Sequence, residues 1–184
     1  MNFRRAGPGD AEVLAKLHAE NWRRHYRGAY SDSFLDGEVF ADRLRVWSAR
    51  LREPDPRRCT ILAEDGDLVG FANTVLEDDP TWGALLDNLH VADRHRRRGV
   101  GSRLLALSAE AVIRRADGGS APDGASGLYL WVLEQNLDAQ AFYEARGGSC
   151  VGRDVASPPG AIASRLAGSP ARLRYAWAEP AVLL

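Results

Sequence analysis

Apolar positions recur at two periods along the chain. Between residues 11 and 25, Val13, Leu14, Leu17, Ala19 and Trp22 follow helical spacing, with Asp10 of "PGD" as N-cap. Residues 38 to 51 predict a second helix through Val39, Leu44 and Trp47, which "EPDPRR" breaks. "FRRA", ahead of both, reads as a short strand. The period then changes. "CTILAED" and "LVGFANTVLE" are two strands joined at Gly66-Asp67, and "DDPTWG" turns the chain into a third, "ALLDNLHV". A helix from about 99 to 116 carries Leu104, Leu105, Ser108, Ala111 and Val112 on one face and stops at Gly118-Gly119. "LYLWVLE" is a nearly continuous apolar strand, as when both sheet faces are covered. "NLDAQAFYEAR" is a short helix, and "SCVGRDV" and "RLRYAWA" are the last strands. Three segments lack either period. "RRHYRGAYSDSFLDG" is a broken aromatic junction, "DGGSAPDGASG" a surface loop, and "ASPPGAIASRLAGSP" a long loop.

The predicted order is β-α-α-β-β-β-α-β-α-β-β, an α/β fold with a mixed, mostly antiparallel sheet flanked by helices. A length of 184 residues and an apolar share of 45% suit one folded domain, 1–184. The net charge of -1 argues against a nucleic-acid partner, since such domains are usually basic overall. Lys16 is the only lysine, so arginine supplies nearly all the cations. Cys59 and Cys150 form no metal spacing and no disulfide framework, and no metal is expected. The N-terminus has no apolar signal core and no stretch is apolar enough to span a membrane, which predicts a cytoplasmic protein with no membrane partner.

One stretch departs from this even balance. "ADRHRRRGVGSRLL" runs four arginines and a histidine into Gly99-Val100-Gly101 at a strand–helix junction. Two glycines one residue apart let the backbone turn sharply and approach a ligand. Amides at the helix start, with the helix dipole behind them, make an anion site. Arg96, Arg97 and Arg98 add charge-assisted contacts. The third glycine of the dinucleotide fingerprint is missing and no Gly-Lys-Ser/Thr follows, which excludes a P-loop.

With "LHV" seven residues upstream of Arg96, the stretch "LHVADRHRRRGVGSRLL" resembles the acyl-CoA pyrophosphate motif of the GCN5-related N-acetyltransferases. "LYLWVLEQNLDAQAFYEARGG" is similar to the family's next strand and helix, with Asn136 and Tyr143 at the usual places. The likeness extends over nearly the whole chain and is specific from about 85 to 148. Gly148-Ser149 stands where the family often has Gly-Phe. The resemblance implies transfer of an acyl group, most often acetyl from acetyl-CoA, to an amine through a tetrahedral intermediate. It implies that main-chain amides from Arg97 to Ser102, Val100 and Gly101 included, hold the pyrophosphate. It also implies that the strand at 85–91 splays from the strand at 128–134. Main-chain groups of Leu89 and Val91, with His90 between them, would then line the pantetheine arm. Homodimers are common in the family.

Within that frame Tyr143 is the candidate general acid for the leaving thiolate. Asn136 is two turns before it, shares its face, and also suits helix capping. Asp87 is the candidate base, directly or through water. Period-two counting puts it on the face of Leu89 and Val91 and turns His90 away, toward a helix. A bulge would alter that count. Glu77, Asp78 and Asp79 read as a solvated hairpin tip. Trp22 reads as core, while Tyr26 and Tyr30 are expected on the acceptor wall, with the 156–171 loop closing over it. The acceptor, a small-molecule or protein amine, is not specified by any segment. A non-catalytic acyl-CoA sensor and a transferase using another acyl-CoA remain open at this level.

Overall fold

The computed structural model describes residues 1–117 and 127–184. The chain runs β1 (Asn2–Arg5), α1 (Ala11–His25), α2 (Val39–Arg52), β2 (Arg58–Asp65), β3 (Asp67–Asp79) and β4 (Gly83–Val91). It continues through α3 (Val100–Asp117), β5 (Leu128–Leu133), α4 (Leu137–Glu144), β6 (Ser149–Val155) and β7 (Ala171–Trp177). The element order is the one the hydrophobic pattern predicts. The expected helix stop at Gly118-Gly119 and most of the loop after it lie outside the described residues. The aromatic junction after α1 folds as turns and one wide helical turn over Phe34–Glu38.

Seven strands form one mixed sheet in the order β1-β2-β3-β4-β5-β7-β6. All neighbours are antiparallel except β4 and β5. Strand alternation divides the core in two. Ile61, Ala72, Leu86 and Leu130 pack with Leu104 and Leu105 of α3, whereas Leu62 and Phe71, one residue out of phase, pack with Leu14 of α1 and Trp47 of α2.

The parallel pair is what makes room for a ligand. β4 and β5 pair only at Ala84↔Leu128 and Leu85↔Tyr129, and beyond that the strands diverge. Two glycines meet at the vertex. The Ala84 amide donates to the Gly127 carbonyl at 2.9 Å, and Gly83 has a φ of 82°. A Cβ on Gly83 would sit 2.3 Å from the Gly127 oxygen. No side chain fits there, and the left-handed backbone favours glycine in any case. Gly83→Ala is therefore expected to lower unfolding free energy by about 3 kcal/mol in urea titration. An unchanged midpoint would mean that the strands separate without cost.

Candidate active site

The wedge between β4 and β5 opens into a groove of about 510 Å³. Its walls come from β4, β5, the start of α3, α4 and the last turn of α1.

At one end the loop after β4 enters α3. Arg97 has a φ of 60° and Gly99 a φ of 80°, so the chain coils into a concave turn of the kind that gathers amides around an anion. None of the amides of residues 97–102 donates to a main-chain carbonyl of the described residues; the first that does is Arg103, to Gly99 at 3.0 Å. Helix starts leave such amides unpaired, and the dipole of an 18-residue helix stands behind these. Arg96, Arg97, Gly99, Gly101 and Ser102 line the groove. Arg96 donates to Asp138 of α4 at 2.8 Å, across the mouth. A Cβ on Gly101 would lie 3.3 Å from Phe142 Cζ, so the helix is closed down on α4 at that point. Arg146 lies over the Phe142 ring at 3.9 Å and donates through Nε to Ser102 Oγ at 3.0 Å.

One of the predicted loop residues is placed differently. Arg98 is exposed and outside the groove lining. Val100 turns its side chain into the core beside Leu104, which leaves the expected role to its main chain. Its apolar side chain anchors the helix and cannot contact a phosphate.

The groove's middle and far parts gather Asn136, Tyr143, Tyr26 and Asp87. Asn136 caps α4, accepting from the Ala139 amide at 3.3 Å. Tyr143 is buried, and that burial, with Tyr26 nearby, pushes its hydroxyl pKa upward, keeping it protonated. Burial, together with the nearby Asp87 charge, pushes Tyr26 up to about 12. Tyr26 thus lies within electrostatic reach of both the candidate acid and the candidate base.

A bulge in β4 corrects the expected face of Asp87. Asn73 pairs with Asn88 but Thr74 pairs with Leu86, which leaves Asp87 as the extra residue. Its carboxylate swings to the α1–α2 face and away from Leu89 and Val91, which pack on the α3 side. Asp87 Oδ2 accepts from Arg50 of α2 at 2.9 Å and from Asn73 at 3.1 Å. Both bonds fall on Oδ2, and among the described residues no hydrogen bond reaches Oδ1. The same slip puts His90 on the face of Asp87, not opposite to it. His90 is buried against His18 and Phe71, at ring-centre distances of 4.6 and 5.2 Å, and burial lowers its pKa to about 3. A histidine that stays neutral throughout the physiological range is packed as part of the groove floor.

Tyr30 is also corrected. It is buried among Trp22, Phe34 and Leu166 and does not line the groove. The 156–171 segment pins it there: Tyr30 forms a β-bridge with Leu166, and the Ala167 amide donates to the Ala29 carbonyl at 2.9 Å. Arg165 completes the anchor, donating to Asp42 at 2.7 Å and Glu38 at 3.0 Å. The hairpin tip is consumed by structure. Glu77 pairs with Arg115 at 2.7 Å, Asp78 accepts from Tyr129 at 2.5 Å, and Asp79 caps the turn at Thr81 and Trp82. At Gly148 the ring of Trp177 occupies the space a side chain would need, 2.8 Å from a built Cβ.

Sequence reasoning missed Asn21, His25, Trp131, Phe142 and Arg146 as groove-lining residues. Phe142 is on the helix that carries Tyr143 and Arg146 follows four residues later in the turn after it, a spacing visible in the sequence. Trp131 had no local signal, because its neighbours across the wedge come from distant segments.

The model of the acetyltransferase (GNAT) family matches residues 19–148. The chain belongs to the GNAT family. Streptothricin acetyltransferase of Streptomyces lavendulae is 29% identical over 170 residues, 84% of each chain. Mycothiol acetyltransferase of Saccharopolyspora erythraea is 38% identical over 64 residues, 35% of this chain and 20% of its own length, so the match spans a fifth of that relative. The crystal structure of the PaiA N-acetyltransferase from Thermoplasma acidophilum, in complex with coenzyme A, superposes with a TM-score of 0.69. It is 19% identical, with 96% of this chain and 98% of that chain covered. The seven-stranded sheet flanked by helices is thus the GNAT fold. Among the described residues no helix is long and apolar enough to cross a membrane.

Proposed function

We propose that this GNAT domain, residues 1–184, transfers an acetyl group from acetyl-CoA to an amine by direct attack. The observation that carries the reading is the turn at 97–102, whose unpaired amides and left-handed Arg97 and Gly99 suit a pyrophosphate. Arg97 and Ser102 flank those amides. The open edge of β4 beyond Leu85 is free to bond an extended pantetheine arm. Asp87 Oδ1 receives the amine proton, directly or through one water. Arg50 and Asn73 fix the carboxylate while it does so. Tyr143 Oη returns a proton to the departing thiolate, and its burial keeps that proton in place until the sulfur approaches. Tyr26 lines the acceptor side between them. The products are an N-acetyl amide and CoA thiol. Neither a metal ion nor a nucleic acid enters this scheme, and a cytoplasmic location suits it.

The test is Tyr143→Phe. kcat is expected to fall about 100-fold while calorimetric acetyl-CoA affinity stays within a factor of about two. Unchanged turnover in single-turnover experiments would make Tyr143 a packing residue. Lost affinity would mean that its ring, not its hydroxyl, serves the groove.

A further inference from the structure

Trp131 leads from the groove onto a cationic aromatic patch on the sheet face that carries Asp87. Arg174 is the Cα partner of Trp131 across β5 and β7. Its guanidinium carbon lies 4.5 Å from the Trp131 ring centre, 5.1 Å from Trp82 and 5.5 Å from Tyr129. Arg172 stacks on the same Trp131 ring at 4.2 Å, and it has an acid, Asp154, at 2.9 Å. Arg174 has none. Among the described residues no carboxylate pairs with it, and its Nε is buried without a hydrogen-bond partner.

Three aromatic rings hold the guanidinium plane in place. The N–H edge of that plane is a rigid fork that matches a carboxylate. Arg174 is half-buried and makes no direct ion pair, Asp154 acting on it only at longer range, so a ligand carboxylate would supply the hydrogen-bonded partner it lacks. Trp131 itself lines the groove, and Arg174, just outside that lining, stacks on its ring. One strand, β5, separates Asp87 on β4 from Arg174 on β7. Because β4 and β5 splay past Leu85, the separation exceeds two strand spacings, about 10 Å, a span that an extended chain of about three residues or more bridges.

Resting on the transferase reading above, we propose that Arg174, seated on Trp131, is the carboxylate end of the acceptor site. The acceptor is then a short peptide or peptide-like amine. Its ammonium group meets Asp87 Oδ1, and its carboxylate meets the Arg174 fork. A phosphate fits less well. Asp78 and Asp79 act on the same Tyr129 ring, and they repel a dianion more strongly than a monoanion.

The experiment compares free-acid tripeptides and longer peptides with the same peptides as C-terminal amides. The protein is loaded with CoA for binding by calorimetry, and with acetyl-CoA for turnover by thiol release. Free acids are expected to bind and react about 10-fold better than amides. Arg174→Gln brings acid and amide to parity, and Arg174→Lys, which keeps the charge without the fork, restores only part of the difference. Thermal melting of both variants checks that they fold. Equal binding of acids and amides to the natural protein overturns the subsite, as does a preference that survives in Arg174→Gln. Acetyl-CoA titration in the same series reports separately on the transferase reading. Failure to bind acetyl-CoA removes that reading, whereas tight acetyl-CoA binding without acid–amide discrimination removes the Arg174 subsite alone.

Discussion

Gly101→Glu is expected to weaken acetyl-CoA binding at least about 100-fold in calorimetric titration. Two effects add. The new Cβ lies 3.3 Å from Phe142 Cζ, in a contact that already leaves no slack. The new carboxylate then stands among the unpaired amides of 97–102 and competes with any phosphate for them. The substitution leaves the fold intact, because an acidic side chain in the first turn of α3 complements the helix dipole. Gly101→Ala separates the two effects. It keeps the crowding without the charge and is expected to cost only several-fold. Wild-type affinity in Gly101→Glu would move the anion site away from this turn.

The second large effect is on stability in mild acid. Lowering the pH from 7 to 5 is expected to remove about 4 kcal/mol of folding free energy, about 2 for each of two buried histidines. His18 is fully buried. Its Nδ1 accepts from Trp47 Nε1 at 3.2 Å, so the neutral ring carries its proton on Nε2. Burial, with His90, Arg43 and Arg50 nearby, holds its pKa well below 6.5. Burial holds His90 near 3. In the unfolded chain both titrate at about 6.5. Below that pH the unfolded state binds two protons that the folded state refuses, so stability falls as pH falls. Carboxylates such as Asp10 and Asp42, whose pKa values are lowered from 3.8 by arginine partners, lose their contribution only at lower pH. The two windows therefore separate. Urea titrations at pH 7 and pH 5 measure the loss, and His90→Phe should halve it. Equal stability at both pH values would mean that the histidines find water or a counter-ion in the native state.

What could be read from the sequence was local. The hairpin at Gly66, the helix that starts after Gly99 and the cap at Asn136 each depend on a few adjacent residues, and all three stand where the pattern puts them. The face of Asp87 was not legible. One extra residue in β4, visible only against its partner β3, reverses every side chain on one side of it. Tyr30 fails for a similar reason. Its helical spacing from Tyr26 suggested a shared wall, but the distant 156–171 segment closes over it and makes it core. Arg174 against Trp131 depends on β7 inserting between β5 and β6, a topological fact with no local sequence signal.

The glycine vertex at Gly83 and Gly127 has a mechanical consequence. The sheet is two leaves bound by a narrow spine, β1 to β4 on one side and β5 to β7 on the other. Past the spine, part of what clasps the leaves together is side-chain contact between α4 with the turn after it and the loop that leads into α3 with its first turn: Arg96 to Asp138, Phe142 on Gly101, and Arg146 to Ser102. The first of these is a surface ion pair, which yields for about 1 kcal/mol or less. The clasp is made of residues that also line the groove. A ligand that enters must handle the clasp on its way in, so the breathing of the leaves and the residence time of the cofactor are governed by the same few side chains.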